Sequence, residues 1–257
     1  MSSVIKIFGD SNVWGDEQPG CTIGKNSKSS KSTFPYYIAG LLRCKVENFA
    51  VSGAALNLVH DMILFNPVNK DDIVIVYLPT CSKYGFIHNS RDYKEINDII
   101  RYKLRSQIFN KDMGESTIKW MNNNMWHPQA LYYNTIKYAY AILKLTQHSN
   151  VFFFWNTRHI DGKYLSGQDG LYDELKRRNN YYGDTYPTEI TSSINFSDEI
   201  LSQLSQITVD WDCVKSLDEI TAELNLYKYP QGHHLPRVHF EYAHKIIDVF
   251  KERLNVY

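Results

Sequence analysis

The chain has 257 residues, 43% of them hydrophobic, which is enough to bury a sizeable core in one large α/β domain or two small ones. Lysine plus arginine and aspartate plus glutamate both number 28, so the formal net charge is zero. Such a chain has no net field that attracts nucleic acid, an anionic membrane or acidic substrates. We therefore expect no nucleic-acid and no membrane partner.

The cysteines and the N-terminal residues narrow the class of protein further. No Cys-x-x-Cys pair occurs, so we expect neither a zinc ribbon nor a disulfide framework but reduced packing residues at Cys21, Cys44, Cys81 and Cys213. The first residues contain no basic region, no long apolar region and no cleavage site of a secretory signal. Every apolar stretch is far shorter than the roughly 20 residues that cross a bilayer. These features predict a soluble protein without a signal peptide.

The first third of the chain alternates strands and helices. Val4 to Phe8 is a short apolar run ending in Gly-Asp-Ser, which is typical of a buried parallel strand that stops at a sharp turn. Gly15 to Ser32 is rich in Gly, Ser and Lys and is predicted to be a long exposed loop. Helices are predicted over Thr33 to Leu42 and Ala54 to Phe65, with a strand over Lys45 to Ala50 between them.

The alternation continues to the C-terminus. Asp71 to Leu78 is β-branched and continuous, and it is the clearest buried strand. Residues 161–198 have little periodicity and are predicted to be an irregular insertion, forming a lid or a contact surface. The remaining predictions are a helix-prone stretch at Arg91 to Asn110, helices at Pro128 to Thr146 and Phe240 to Leu254, and strands at Val151 to Trp155 and Ile207 to Val209.

Apolar strands separated by helices predict a three-layer α/β/α sandwich with a central parallel sheet. No internal repeat or linker divides the chain, so we expect a single domain over residues 1–257. In such sheets the reactive groups gather at the carboxyl ends of the strands. This rule predicts that Ser11, the pair Ser52-Gly53, the segment Pro79 to Lys83 and Asn156 are neighbours.

Two segments after the first and second strands carry a family resemblance. Gly9-Asp10-Ser11 resembles the first block of the SGNH (GDSL-type) hydrolases, in which the serine is the nucleophile and its own N–H serves the oxyanion. The stretch from Asn48 to Ala54 resembles the second block, whose glycine donates a further N–H. The resemblance implies these roles for Ser11 and Gly53, which are the groups that a serine nucleophile needs besides a base.

The segment from Pro230 to His239 resembles the His-Pro turn that precedes the last helix of the same family. Pro236 and His239 downstream fit best if His233 is the base, while adjacency to the loop also allows His234. The blocks follow the family's order, with the serine near the start and the histidine near the end. The resemblance therefore covers most of the chain and implies the flavodoxin-like SGNH hydrolase fold.

The third block departs from the family pattern. That block is Gly-x-Asn-Asp, whose Asn is a third oxyanion donor, and the aligned residues here are Pro79-Thr80-Cys81-Ser82. Loss of one such donor typically costs about 10² to 10³ in rate. Thr80 or Ser82, or Asn156 from the next strand, could take its place.

The acid is also missing from its usual position. In the family it precedes the histidine by three residues, and that position is Pro230 if His233 is the base. Two alternatives stay open: a Ser-His dyad without an acid, or an acid reaching the imidazole from the preceding segment, where the candidates are Asp210, Asp212 and Asp218.

The same residues also have structural interpretations. Ser11 could cap a helix, Gly53 could serve a strand-to-helix turn that needs positive φ, and the histidines could form a bonded loop or ligate zinc. No aspartate or cysteine lies at ligand spacing beside the histidines, so we expect no metal and no cofactor. Gly20 to Asn26 lacks the spacing and the Ser or Thr of a phosphate loop, and the lysines around it are predicted to be solvated.

Two hypotheses about function follow. The first is an esterase or O-deacetylase acting on an acyl ester, for example of a carbohydrate, through Ser11 and His233. The second is a catalytically degenerate SGNH-fold protein with a structural or binding role. Members that lack the third-block Asn resemble phage-encoded proteins, and a composition rich in Asn, Lys, Ile and Tyr suits an AT-rich viral genome. The second hypothesis therefore includes a protein assembly partner and a cytoplasmic or virion-associated location.

Overall fold

The fold is that of a computed structural model, which describes residues 4–22, 28–52, 54–78, 86–87, 104–105, 128–155, 197–207, 217–230 and 232–254. The described elements alternate along most of the chain, as expected. In order they are β1 (Val4–Phe8), α1 (Ser11–Trp14), α2 (Phe34–Leu42), β2 (Lys45–Asn48), α3 (Leu56–Phe65), β3 (Ile73–Leu78), β4 (Phe86–Ile87), β5 (Leu104–Arg105), α4 (Pro128–Thr146), β6 (Asn150–Trp155), α5 (Asp198–Ile207), α6 (Leu217–Glu223) and α7 (Pro236–Leu254).

Four parallel strands form the central sheet in the order β2-β1-β3-β6. Ile7 of β1 is aligned with Asn48 of β2 on one side and with Ile75 of β3 on the other. This order has the chain winding outward in both directions from β1, so the point between β1 and β3 is the switch point at which α/β proteins bind ligands. The predicted α/β class and parallel sheet are confirmed.

Helices cover both faces of the sheet. Helices α2 and α7 pack on each other, and α3 packs on α4, as right-handed crossovers require. The face under α7 is aromatic, because the rings of Phe152 and Phe154 on β6 lie 4.3 Å from Phe250 and 6.4 Å from Tyr242 respectively. Phe34 of α2 meets Tyr242 edge-on at 5.0 Å. No helix among the described residues is long and apolar enough to span a membrane.

Three predicted elements are wrong in part. Leu104–Arg105 is a strand paired antiparallel with Phe86–Ile87, not part of a helix, because pairing with a distant segment outweighs local propensity. Ile207 ends helix α5 rather than beginning a strand, and the described part of that helix buries Leu204 beside the half-buried Ile200 at helical spacing. The last helix begins at Pro236, four residues before its predicted start, since proline suits the first helical position.

The segment from Gly15 to Ser32 is not the exposed loop that its composition predicts. Asp16, Gln18 and Ser30 are buried, while Lys28 and Lys31 are exposed as expected. The Ser30 N–H donates to the Trp14 carbonyl at 3.0 Å, and the Ser30 hydroxyl donates to the Pro19 carbonyl at 2.7 Å. The loop therefore folds back onto the end of α1 instead of extending into solvent.

A buried ion pair links β1 to the residue before β3. Lys6 Nζ lies 3.0 Å from Asp72 Oδ2 and donates to the Pro67 carbonyl at 2.7 Å. The Asp72 carboxylate also accepts from the Asn69 N–H at 2.7 Å. Both charges are largely removed from water, so each depends on the other for compensation.

We expect Asp72→Ala to lower the free energy of unfolding by about 3 kcal/mol, because it leaves the Lys6 ammonium buried without its counter-charge. The matched control is Asp248→Ala, which removes an exposed carboxylate 3.9 Å from Lys251 and should change the free energy by less than about 0.5 kcal/mol. Urea denaturation of both variants at pH 7 measures the difference. Equal effects would contradict the role given to the buried pair.

Candidate active site

Ser11 lies where β1 ends and α1 begins, at the switch point of the sheet. It is the first helical residue and is partly exposed. The helix is capped by the preceding Asp10, whose carboxylate accepts from the Asn12 N–H at 3.1 Å. The alternative that Ser11 caps the helix is therefore wrong. Its hydroxyl makes no hydrogen bond within the part of the chain that the structure describes, to either histidine or to any other group.

Gly9 allows the sharp turn that presents Ser11. A Cβ at this position would lie 2.8 Å from Val13 Cγ2 and 3.0 Å from Tyr77 Cβ, so a side chain would force β1 and β3 apart. The Gly9 carbonyl accepts from the Val51 N–H at 3.0 Å. The residues that follow β1 and β2 are thus held side by side, as the strand-end rule predicts.

Asn48, at the end of β2, connects the second block of the family resemblance to helix α1. Its side-chain Nδ2 donates to the Val13 carbonyl at 3.0 Å, while its Oδ1 accepts from the Ala50 N–H at 3.0 Å. The amide therefore joins the end of α1 to the turn after β2. Ser52, in the same turn, donates its hydroxyl proton to the Asp16 carboxylate.

The loop after α1 follows a constrained path beside Ser11. The N–H groups of Gly15 and Asp16 both donate to the Ser11 carbonyl, at 2.8 and 3.1 Å. Gly15 has φ +86°, and a Cβ there would lie 2.6 Å from Thr33 Cγ2, so this position requires glycine. Glu17 also has positive φ, at 62°, a conformation that disfavours residues with a side chain.

His233 is bound to this loop. Its Nδ1 lies 2.8 Å from Glu17 Oε2, and both side chains are mostly buried, with 14% and 16% of their surfaces exposed. Gly232 precedes the histidine with φ +91°, and the Tyr229 N–H donates to the His233 carbonyl at 2.8 Å. The other ring nitrogen of His233, Nε2, has no hydrogen-bond partner among the described residues.

His234 faces the interior. Its Nδ1 lies 2.8 Å from the Thr221 hydroxyl, and its Nε2 lies 3.4 Å from Asp218 Oδ1. Burial lowers the pKa of His234 to about 4 although the Asp218 charge opposes the shift. Burial likewise lowers the pKa of His239 to about 3. Both rings are therefore neutral at pH 7, and His234 has both nitrogens engaged in the packing of α6.

Asp16 is the second carboxylate in the loop and is buried. Burial raises the pKa of Asp16, and the hydrogen bond from Ser52 and the nearby His233 partly offset this effect. The Gln18 amide donates to the His234 carbonyl. The loop from Ser11 is thus joined to the histidine turn at two consecutive residues, Glu17 and Gln18.

The structure describes three of the seven predicted site residues, namely Ser11, His233 and His234. Gly53, Thr80, Ser82 and Asn156 lie outside the described residues, as do the candidate acids Asp210 and Asp212. Asp218, the third candidate acid, forms ion pairs with His234 and Lys228, but none with His233 among the described residues.

Sequence reasoning missed Glu17. The loop composition led to its assignment as exposed, although Gly15 and the buried Asp16 show it to be tightly packed. A single sequence carries no signal that would join residue 17 to residue 233. Within the described part of the chain, no three His, Cys, Asp or Glu residues are grouped as metal ligands would be.

Known proteins resemble this chain only in structure. No protein-family model matches, and no curated protein sequence is significantly similar. An acetyl xylan esterase from the rumen bacterium Butyrivibrio proteoclasticus is 13% identical with a TM-score of 0.43, and the match covers 99% of this chain and 64% of that one. This chain thus spans less than two thirds of that relative's length.

Two further solved structures are similar to this chain in fold. A phospholipase A1 from Streptomyces albidoflavus is 11% identical with a TM-score of 0.43, covering 98% of this chain and 100% of that one. An esterase of the SGNH-hydrolase family is 17% identical with a TM-score of 0.32, covering 80% and 92%. Likeness at this distance assigns neither an activity nor a residue role to this chain.

The neutral buried histidines predict acid sensitivity. The pKa values of His234 and His239 lie below 6.5 in the folded state, so below pH 6.5 the unfolded chain binds protons that the folded chain does not. Stability is therefore full above pH 6.5 and falls as the pH drops toward 4, by up to about 1.4 kcal/mol per pH unit for each histidine. Urea denaturation at pH 7.5, 6 and 5 measures the slope.

Two leucine variants distinguish the contribution of the buried histidines to this pH dependence from that of other titrating groups. His239→Leu should flatten the dependence by up to about 1.4 kcal/mol per pH unit, since it removes one of the two depressed groups. His244→Leu replaces an exposed histidine and should leave the slope unchanged. A wild-type slope retained in His239→Leu would refute the assignment.

Proposed function

We propose that the protein is a serine ester hydrolase in which Ser11 is the nucleophile and His233 is the general base. One observation carries the proposal: the loop that leaves Ser11 binds the imidazole of His233. Asp16 donates its N–H to the Ser11 carbonyl, and the next residue, Glu17, lies 2.8 Å from His233 Nδ1. Residues 216 positions apart in sequence are thus in contact, and the loop that joins them begins at Ser11, at the switch point where such folds bind their ligands.

The state of the two side chains suits the chemistry. The Ser11 hydroxyl has no hydrogen-bond partner among the described residues, and His233 Nε2 has none there either. A hydroxyl and an imidazole used in catalysis must be available to each other and to substrate, and their hydrogen bond is often loose before substrate binds. His234 differs in both respects, because it is buried and both of its nitrogens are engaged.

In the proposed reaction Ser11 Oγ attacks the ester carbonyl while His233 Nε2 accepts its proton. The imidazolium returns that proton to the leaving alcohol, and water then releases the acyl group by the reverse sequence. The Ser11 N–H, in the first turn of α1, has no acceptor within the helix and would donate to the oxyanion. Gly53, with Thr80, Ser82 or Asn156, remains the predicted source of further donors.

The proposed substrate class is an acyl ester, and O-acetylated carbohydrate is the first natural class to test. It follows from the resemblance of the serine and histidine blocks to the SGNH hydrolases. A catalytically inactive structural or binding protein, with or without a place in a phage particle, is the competing hypothesis, and the experiments below separate the two.

Purified wild-type protein should hydrolyse p-nitrophenyl acetate, and Ser11→Ala should reduce kcat/KM by more than about 10³-fold, since no other group supplies the nucleophile. A fluorophosphonate probe should label the wild type and leave Ser11→Ala unlabelled. Ser202→Ala, which removes an exposed serine on α5, is the control that should keep full activity. A wild type that neither turns over nor labels would support the catalytically inactive alternative.

Substitution of His233 and substitution of His234 should have different effects on kcat. His233→Ala should lower kcat by about 10³-fold or more in a folded protein, because the base is lost. His234→Ala should lower the free energy of unfolding by about 2 kcal/mol, because it removes the hydrogen bond to Thr221 and leaves a cavity. The kcat of the folded fraction should stay within a fewfold of wild type. Equal effects of the two substitutions on kcat would rule out the proposed base.

A further inference from the structure

The position that normally holds the acid of this serine and histidine arrangement is Pro230, yet His233 still has a carboxylate partner. Glu17 Oε2 lies 2.8 Å from Nδ1 of the imidazole, across 216 positions of sequence. Both side chains are mostly shielded from water, at 14% and 16% exposure. An ion pair or charged hydrogen bond in such surroundings is stronger than one at the surface.

We propose that Glu17 is the positioning residue for His233 and replaces the missing acid. It lies in the loop after the nucleophile, whereas the family's acid lies in the turn before the histidine. The inference rests on the proposed function. The carboxylate accepts the Nδ1–H and so keeps that proton on Nδ1. Nε2 then carries the lone pair that accepts the proton of Ser11.

Glu17 does not gain or lose a proton in the proposed reaction and contributes only its negative charge. The Ser11 proton moves to Nε2 and from there to the leaving alcohol, while Glu17 stays ionised and stabilises the transient imidazolium. The contact also fixes the rotation of the ring about its Cβ–Cγ bond. A ring free to rotate would hold Nε2 in the productive direction only part of the time.

Two other carboxylates near the histidines are committed elsewhere. Asp16 accepts the Ser52 hydroxyl proton, and the nearby His233 lowers the pKa of Asp16 without a direct hydrogen bond. Asp218 lies 3.4 Å from His234 Nε2 and pairs with Lys228. Among the described carboxylates, Glu17 therefore has the one hydrogen bond to the His233 ring.

The backbone at Glu17 supports a role beyond folding. Its φ of 62° lies in the left-handed region, where a residue with a side chain costs roughly 1 kcal/mol more than glycine. Folding stability alone would favour glycine at this position. The neighbouring Gln18 holds the His234 carbonyl, so the loop stays attached to the histidine turn when the Glu17 side chain is removed.

The conformation at Glu17 provides a variant that should fold. Glu17→Gly removes the carboxylate and relieves the backbone, so its melting temperature should lie within about 4 °C of wild type. Its kcat on p-nitrophenyl acetate should fall by about 10² to 10⁴-fold with KM changed less than threefold, as expected for a group that acts through the base. Glu17→Gln should fall comparably, since the amide is neutral. Glu241→Gln, at a half-exposed residue on α7, is the matched control and should keep wild-type kcat.

A readout independent of turnover is the tautomer of His233, seen in ¹⁵N NMR shifts at pH 8. His233→Gln assigns the resonances. The wild type should show the proton on Nδ1, and Glu17→Gly should move it toward Nε2, the tautomer that a free imidazole prefers. An unchanged tautomer, or kcat within twofold of wild type in Glu17→Gly, would overturn the inference while leaving the proposed hydrolase intact. Absence of turnover in the wild type would instead overturn the proposed function and this inference with it.

Discussion

The pairing of β1 with β2 on one side and β3 on the other determines where Ser11 and the turn after β2 lie. Both ladders are parallel, so the chain leaves all three strands at the same edge. The close approach of Gly9 to Tyr77 then sets the direction in which α1 departs. Without room for a Cβ at residue 9, the turn that exposes Ser11 has little freedom. The site therefore inherits its geometry from the sheet.

The loop after α1 connects the N-terminal part of the site to the turn before the last helix. Its left-handed residues turn it back over the Ser11 carbonyl, and its acidic side chains reach both neighbouring segments, Asp16 toward Ser52 and Glu17 toward His233. Burial strengthens these contacts, because hydrogen bonds to charged groups are stronger away from water. Burial also keeps His234 and His239 neutral. Of the two histidines in the turn before α7, His233 therefore faces the loop and His234 packs inside, as does His239 on α7.

The elements that could be predicted from the sequence are those with a clear local pattern of apolar residues. Apolar β-branched runs such as Ile73–Leu78 define buried strands in any parallel sheet, and the bounds of Pro128–Thr146 follow from helical periodicity. The strand at Leu104–Arg105 and the helix through Ile207 were missed, because pairing and packing with distant segments outweigh the preferences of short stretches. The composition of the loop after α1 predicts an exposed segment, since Gly, Ser and Lys suit solvent and carry no sign of a folded-back path.

By itself, the sequence determined the α/β class, the parallel sheet, the position of Ser11 at the end of a strand and the histidine turn before the last helix. These are consequences of short-range pattern: apolar period, turn residues and the order of the blocks. Only the tertiary structure decided which histidine faces the loop and which is buried, and that Glu17 is the carboxylate beside it. Such a contact joins residues 216 apart, and the packing that brings them together leaves no trace in the residues next to either one.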